Sequence, residues 1–418
     1  MNILIKSSTI VDPSSEFNGK TADVLIENGK ISKIAASIDA KVEQIDGKGK
    51  YLAPGFFDLH TNLGEIGVET KEDFITGSAA AAAGGFTGLG IMPNTVPAVD
   101  SKSQVEYLKN RAKGLLVDIY PYGTISQKRE GKDLAELFDM TNSGAVAFSD
   151  GNEPIQHAGL MERALLYAKG FDGLVISYPE DKSIAEKAKM NEGAMSTYLG
   201  MKGIPNIAEE LMIVRDLYLA EYTDARIHFT TISTAHAVDL IKQAKKKGLK
   251  VTCDVAAHHL VLTEDVLIDF DSNYKVKPPL RTKTDVKALL KGVQEGVIDA
   301  VVSQHTPQEI EFKQVEFEIA AYGMIALQTV LPLLIKAGLK PEQIVDKLSV
   351  KSREILGIAV PGIVEGAQAN VVLFDDATWN YTVANNYSKS SNSPFIGQEL
   401  KGKVWATINN GQVYQFSN

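Results

Sequence analysis

Short apolar runs alternate with stretches of helical periodicity through the middle of the chain, whereas both ends show strand-like alternation broken by Asn-Gly pairs. Near the N-terminus, Ala22-Asp23-Val24-Leu25-Ile26-Glu27-Asn28-Gly29-Lys30-Ile31 alternates and turns on Asn28-Gly29, which favours a type I′ hairpin. The C-terminal end repeats the pattern. There Asn370-Val371-Val372-Leu373-Phe374 reads as an apolar strand, and the stretch from Val404 to Tyr414 carries Asn410-Gly411. Two β-rich ends so far apart in sequence predict one small β-sandwich domain assembled from residues 1–52 and 358–418. The part between them, residues 53–357, reads as an insertion. It contains eight strand candidates, near 54–60, 86–92, 117–122, 145–149, 174–177, 226–231, 250–255 and 298–303, with helix-compatible sequence between most of them. Strand–helix repetition of this kind is the βαβ signature of a parallel sheet, and eight units predict an α/β fold of the closed (β/α)8 TIM-barrel type. The alanine run Ala79 to Ala83 ending in Gly84-Gly85 reads as a helix with a glycine stop. No Gly-x-Gly-x-x-Gly or P-loop follows a strand, so nucleotide binding of those kinds is unsupported.

Composition narrows the class. With 418 residues, 44% hydrophobic and 23% charged, the chain suits a barrel with an appended domain. No apolar run reaches the roughly 18 residues of a membrane span, and Met1-Asn2-Ile3-Leu4-Ile5-Lys6 lacks the basic and apolar regions of a secretory signal. A cytoplasmic protein with no membrane partner is expected. One cysteine, Cys253, excludes an intramolecular disulfide and any cysteine-based zinc cluster. The net charge of −9 argues against a nucleic-acid partner, and Lys245, Lys246 and Lys247 read as a solvated helix end.

Barrel chemistry sits at the C-terminal ends of the strands. Those ends present His60 and Asn62, Asn94, Asp150, Tyr178, Thr231, Asp254 and Gln304. A strand ending in His-x-His aims both imidazoles at one ion, because side chains alternate with period two. In His60-Thr61-Asn62 only the first position could serve. A hydrolytic zinc site takes three protein ligands and an open position, and only His60 and Asp150 are strong candidates.

Several separated motifs together resemble the dihydroorotase branch of the amidohydrolase superfamily. They are Asp58-Leu59-His60, Lys71-Glu72-Asp73, Gly84-Gly85-Phe86-Thr87 and Met92-Pro93-Asn94-Thr95, then Gly203-Ile204-Pro205, His258-His259-Leu260, Pro278-Pro279-Leu280-Arg281 and Ser388-Lys389-Ser390. The resemblance runs over nearly the whole chain in the family's order, and it implies a metal-dependent barrel acting on a cyclic amide of pyrimidine biosynthesis. Carried over residue by residue, it also implies that much of the site is altered. His60 matches the first metal-binding histidine and Asp150 the metal-bridging aspartate. Asn62, Tyr178 and Thr231 stand where three further histidine ligands belong, and Gln304 stands at the general base. Gly64 replaces a substrate-clamping arginine, Lys277 an asparagine and Gln308 a histidine, while Asn94 is retained. Asn94, Lys277 and Gln308 are thus the substrate-pocket candidates.

Each replacement has a chemical meaning. An amide, phenol or hydroxyl oxygen is a poorer zinc donor than a neutral imidazole, and Gln304 cannot accept a proton. Glu65 and His305 are the residues that a rescued, mononuclear site would recruit. His258 and His259 are expected to pack or form tautomer-fixed hydrogen bonds, His157 and His236 to be structural or exposed, and His228 to lie in a strand core. The expectation is therefore a dihydroorotase homologue without catalysis or resident cofactor, with zinc as the ion if any is retained. Such a chain would be a structural or regulatory partner, for example of aspartate transcarbamoylase, and a homo-oligomer. The alternative is an active dihydroorotase or related cyclic amide hydrolase with a reduced metal site. A weaker alternative is a sensor of an acidic metabolite.

Overall fold

The computed structural model describes residues 1–416. Both Asn-Gly pairs form the predicted turns, with positive φ at Asn28 (51°), Gly29 (77°), Asn410 (51°) and Gly411 (68°), as a type I′ turn requires. They join Thr21–Glu27 to Lys30–Ala35 and Glu399–Asn409 to Gln412–Gln415. These strands share one eight-stranded sheet with Asn2–Ile10, Glu43–Asp46, Tyr51–Pro54 and Val371–Asn380. The two chain ends meet where Val371–Asn380 pairs antiparallel with Tyr51–Pro54. Alternate residues such as Ile3, Ile5, Val24, Ile26, Val371 and Leu373 fill a core of their own.

The first barrel strand, Phe56–Thr61, follows directly after Gly55 and is buried on both faces, as parallel strands under helices are. The succeeding strands are Phe86–Ile91, Asp118–Pro121, Val175–Ser177, Ile227–Phe229, Val251–Ala256 and Ala300–Val302. They pair in parallel in two groups. The predicted fourth strand near 145–149 forms no regular ladder. Single parallel bridges, Gly123 to Phe148 and Phe148 to Val175, connect the two groups there, and a bridge from Thr61 to His305 closes the ring. Inside, Phe57, Leu59, Met92, Tyr122, Ile176 and Val302 pack together. Tyr122 donates its hydroxyl to the Leu59 carbonyl at 2.9 Å. It has room because Gly90 faces it, where a Cβ would stand 2.1 Å from the phenol oxygen.

Helix starts follow local chemistry. Asp73 accepts the amides of Ile75 and Thr76 to cap Phe74–Ala83, and Gly84 ends that helix as predicted. Thr234 caps Ala235–Lys246, whose last turn carries Lys245 and Lys246, the favourable end for cations. Cys253 is buried in its strand, and burial pushes its thiol far above the ordinary value. No helix among the described residues is long and apolar enough to cross a membrane.

The junction between the two domains is held by a buried cation. Arg353 donates to the carbonyl of Gly55 (2.7 Å), to the Ser349 hydroxyl (2.9 Å) and to the Thr87 hydroxyl (3.0 Å). Its guanidinium also lies 5.2 Å from the centre of the Phe57 ring. Burial lowers its pKa to about 10, so it stays charged near neutrality. Arg353→Met keeps the volume but leaves these acceptors unpaired, and should cost ~3 kcal/mol in urea unfolding. A change under ~0.5 kcal/mol, the range of ordinary surface substitutions, would show that the clamp contributes nothing.

Candidate active site at the barrel mouth

The barrel brings His60, Asn62, Asn94, Thr231 and Gln304 together at its C-terminal end, where each is held by hydrogen bonds within the mouth. Asn62 donates through Nδ2 to the His305 carbonyl and the Thr306 hydroxyl, both at 3.0 Å. Its Oδ1 accepts Asn94 Nδ2 at 2.8 Å. Gln304, whose backbone is held at φ 51°, donates to the Thr231 hydroxyl (3.0 Å) and to the Lys277 carbonyl (2.9 Å). A non-glycine residue at positive φ is sparsely populated backbone of the kind that gathers at ligand sites. Here it aims the amide across the mouth.

The two expected metal ligands differ in how far they are engaged. His60 is buried and hydrogen-bonded through Nδ1 to the Thr230 hydroxyl at 2.9 Å. Burial pushes its pKa down against the pull of the Asp254 and Asp58 carboxylates. Asp150 faces the loop after the third strand. Its Oδ1 accepts the amides of Ile125 (2.7 Å) and Ser126 (3.0 Å), and its Oδ2 accepts the Ser126 hydroxyl. Backbone amides and a hydroxyl thus satisfy this carboxylate, while Asn62 is spent on Asn94, His305 and Thr306. Burial raises the Asp150 pKa, opposed by Ser126 and Ile125.

Neither rescue candidate is free to act. Glu65 turns outward from the mouth, accepting the Phe74 amide at the start of a helix (2.9 Å) and both Nε and Nη2 of Arg111 (2.8 and 2.6 Å). His305 accepts the Ala326 amide at Nδ1 (3.1 Å), so its proton is on Nε2, which donates to Glu72 (3.3 Å). Among the described residues no group of three or more His, Cys, Asp or Glu is placed to hold a metal ion. The donor set is poor for zinc: the Thr230 bond uses only Nδ1 of His60 and leaves Nε2 for a ligand, but Asp150 is committed to Ser126 and Ile125, and Asn62, Thr231 and Gln304 offer only neutral amides and hydroxyls.

The substrate-pocket candidates are similarly engaged. Lys277 pairs with Glu180 at 2.7 Å. Gln308 accepts Lys71 (2.9 Å) and donates to the Tyr322 carbonyl (2.9 Å) at the rim. A cavity of about 310 Å³ opens there beside Asp271, Lys313 and Asn392, and none of His60, Asn62, Asp150, Thr231 or Gln304 lines it. Gly64 leaves no room for a side chain: a Cβ there would sit 2.1 Å from the Val68 carbonyl oxygen and 2.4 Å from that of Glu72. Tyr178 is fully buried near Glu180 and Glu209, and burial raises its phenol pKa well above the ordinary value.

Two charged centres were not singled out from the sequence, although each lies in a motif noted there. Glu72 accepts Thr76, Ser388 and His305 side chains and the Lys389 amide (3.1 Å), tying the C-terminal segment to the mouth. Burial pushes its carboxyl up, but His305, Ser388 and Thr76 outweigh this and hold it below the usual range. Arg281 reaches Ser233 (3.0 Å), Asn191 (2.9 Å), the Ile204 carbonyl (3.0 Å) and Glu209 (3.4 Å). The other histidines behave largely as expected. His157 caps a helix, His236 is exposed, and His259 is fixed by the carbonyls of Pro278 (3.1 Å) and Pro279 (3.3 Å). His228 lies in its strand but also bonds Thr252 (2.8 Å) and Asp254 (3.0 Å).

Residues 49–237 match the family model described as dihydro-orotase-like. A dihydroorotase from Acetivibrio thermocellus is 42% identical, over 98% of this chain and 98% of its own. One from Syntrophus aciditrophicus is 42% identical over 99% and 100%. The chain belongs to the dihydroorotase family. Its fold is also that of an L-hydantoinase (dihydropyrimidinase) from Arthrobacter aurescens, with a TM-score of 0.86 at 23% identity over 100% of this chain and 98% of that one. A dihydropyrimidinase from Brevibacillus agri gives 0.82 at 24%, over 99% and 95%. The barrel with its β-sandwich domain is thus the architecture expected from the sequence.

If Asp150 is a structural acceptor, Ser126→Ala and Asp150→Ala should be coupled. A double-mutant cycle in urea should give an interaction of ~1–3 kcal/mol; additive losses would mean that the carboxylate works elsewhere. The histidines set a second expectation. Unfolded, His259 titrates near 6.5, whereas burial holds it down to about 4 in the fold. Between these values the unfolded chain binds more protons, so stability is full above about 6.5 and falls as pH drops toward 4. His259→Gln should flatten that slope in urea midpoints measured from neutrality downward, and an unchanged slope would place the titration on other groups.

Proposed function

We propose that this dihydroorotase-family chain is non-catalytic and serves as a structural or regulatory partner in pyrimidine biosynthesis, with aspartate transcarbamoylase as the partner to test. The observation that carries this reading is the mouth itself. Amides and hydroxyls at the metal-ligand and base positions bond one another, and Gln304 bonds Thr231 where a carboxylate would take a proton from water. The role implied for zinc in the family, activating a water, has no set of donors here to support it. A sensor of acidic metabolites is less well supported, since Lys277 already faces Glu180.

A second reading has its own support. Relatives named dihydroorotase are 40–42% identical over nearly their whole length, which favours an active hydrolase of cyclic amides. The two readings separate on metal content and turnover. Under the first, protein equilibrated with zinc retains well under one ion per chain, dihydroorotate is not hydrolysed, and co-expressed transcarbamoylase from the same cell co-elutes with it. Asn62→His alone should not restore metal, because losses at several ligand positions compound and even one outer partner typically accounts for 10–100-fold in affinity. One firmly held ion with measurable hydrolysis, abolished by His60→Ala, would establish the second reading.

A further inference from the structure

Arg353 is a buried cation that bonds no anion. It is 3% exposed, and the carboxylate that acts on it, Asp118, is not among its hydrogen-bond partners. Asp118 instead accepts the side-chain amides of Asn409 (3.0 Å) and Asn410 (2.8 Å). A guanidinium carries five N–H donors. Nη1 serves the Gly55 carbonyl and both oxygens of Ser349, and Nη2 serves the Thr87 hydroxyl. Nε–H and one Nη2–H therefore have no acceptor among the described residues. Those two nitrogens share an edge of the guanidinium, and such an edge grips a carboxylate or phosphate through two parallel bonds.

Arg353 lines a cavity of about 320 Å³ between the two domains, where ligand pockets commonly form. Thr87, Asp118 and Tyr120 face it from the barrel, and Gln368, Asn370 and Asn409 from the sandwich. It lies at the amino-terminal ends of Phe86–Ile91 and Asp118–Pro121, opposite the mouth. The Thr87 hydroxyl accepts Nη2 of Arg353 and donates to Asn370 Oδ1 at 2.7 Å. That fixes Asn370 beside the guanidinium, with its Nδ2 donating to no described residue. An adjoining cavity shares Asp118, Tyr120 and Asn410 and adds Lys109 and Lys113. Three cations thus stand against one carboxylate that two amides already cap, and a cleft with that balance concentrates anions. We infer that the junction cavity binds a small oxyanion, the carboxylate or phosphoryl group of a metabolite, on the Nε–Nη2 edge of Arg353 with Asn370 Nδ2 as a further donor. A buried charge is stable when it is both paired and hydrogen-bonded, and the ligand completes both. Because the two domains share the cavity, occupancy adds to the clamp between them. The inference does not rest on the state of the barrel mouth.

Equilibrium dialysis of the full chain against radiolabelled inorganic phosphate, and separately against radiolabelled succinate, tests it at constant ionic strength. The wild type should bind at least one of the two saturably. Phosphate alone would assign a phosphoryl group, succinate alone a carboxylate, and both the shared oxyanion chemistry. Asn370→Asp keeps the acceptor for Thr87 but sets a negative charge beside Arg353, and should raise the half-saturating concentration at least about tenfold. Gln368→Glu brings the same charge to an exposed residue of the rim, where the fold is not at stake, and should act in the same direction. Lys277→Ala, at the mouth, should leave binding unchanged. No saturable binding of either ion would overturn the inference. So would binding that Gln368→Glu and a folded Asn370→Asp leave as it was, or binding that Lys277→Ala abolishes, which would put the ion at the mouth.

Discussion

The barrel depends on a seam. A closed sheet has no edge only if its last strand finds its first, and here residues 245 positions apart must be pinned together for that to happen. Asp58, wholly buried in the first strand, accepts the Ser303 amide at 2.8 Å, the Ser303 hydroxyl at 2.5 Å and the Thr61 hydroxyl. Three donors on one carboxylate compensate its desolvation. Ser303 in turn positions His305, whose amide donates to its hydroxyl at 2.9 Å, and the carbonyl of His305 takes the backbone and side-chain amides of Asn62. The closure therefore runs through Asp58, Ser303, His305 and Asn62 at the mouth.

That explains how the mouth can keep its shape with altered ligand positions. A bound metal supplies positive charge that neutralises carboxylates and cross-links strands. In this chain the carboxylates have found other partners. Asp150 has two amides and a hydroxyl, Asp254 has His228, Glu180 has Lys277, and Glu209 has Arg281 and Ser233. The neutral residues at the remaining positions then pair with each other at distances of 2.8–3.0 Å. The pairs are complementary in kind: the amide of Gln304 meets the Thr231 hydroxyl, and the amide of Asn62 meets that of Asn94. The pairing is incomplete, since Asn94 Oδ1 and Asp254 Oδ1 are buried without a hydrogen-bond partner among the described residues.

Much of the fold was legible because it is encoded by short-range pattern. Seven of the eight barrel strands form close to their apolar runs, and both Asn-Gly pairs form their turns. The fourth strand near 145–149 was visible as an apolar run but not as an irregular one, since it joins its neighbours through Phe148 alone, and ladder regularity depends on partners distant in sequence. At the site, the positions of His60, Asn62, Asp150, Thr231 and Gln304 followed from strand ends. Their partners did not. Glu65 is one turn past His60, yet it faces Arg111, 46 residues on. Glu72 binds Ser388, 316 residues away. Contacts of this kind leave no local periodicity, and only the resemblance of whole motifs pointed to the segments involved.

Long-range hubs also separate folding from chemistry. Arg353 fastens the domain junction, Arg281 gathers the loops of the fifth to seventh strands, and Glu72 anchors the C-terminal segment against His305. None of the three attachments draws on the side chains at 62, 178, 231 or 304. Gly64 carries this furthest. Its loop packs against the Val68 and Glu72 carbonyls, and the Gly64 amide donates to Glu72 at 2.9 Å. A side chain added there collides with backbone, which cannot move without disturbing the Glu72 anchor. The glycine and the anchor are thus one constraint, set by how closely the loop approaches the backbone beside Glu72.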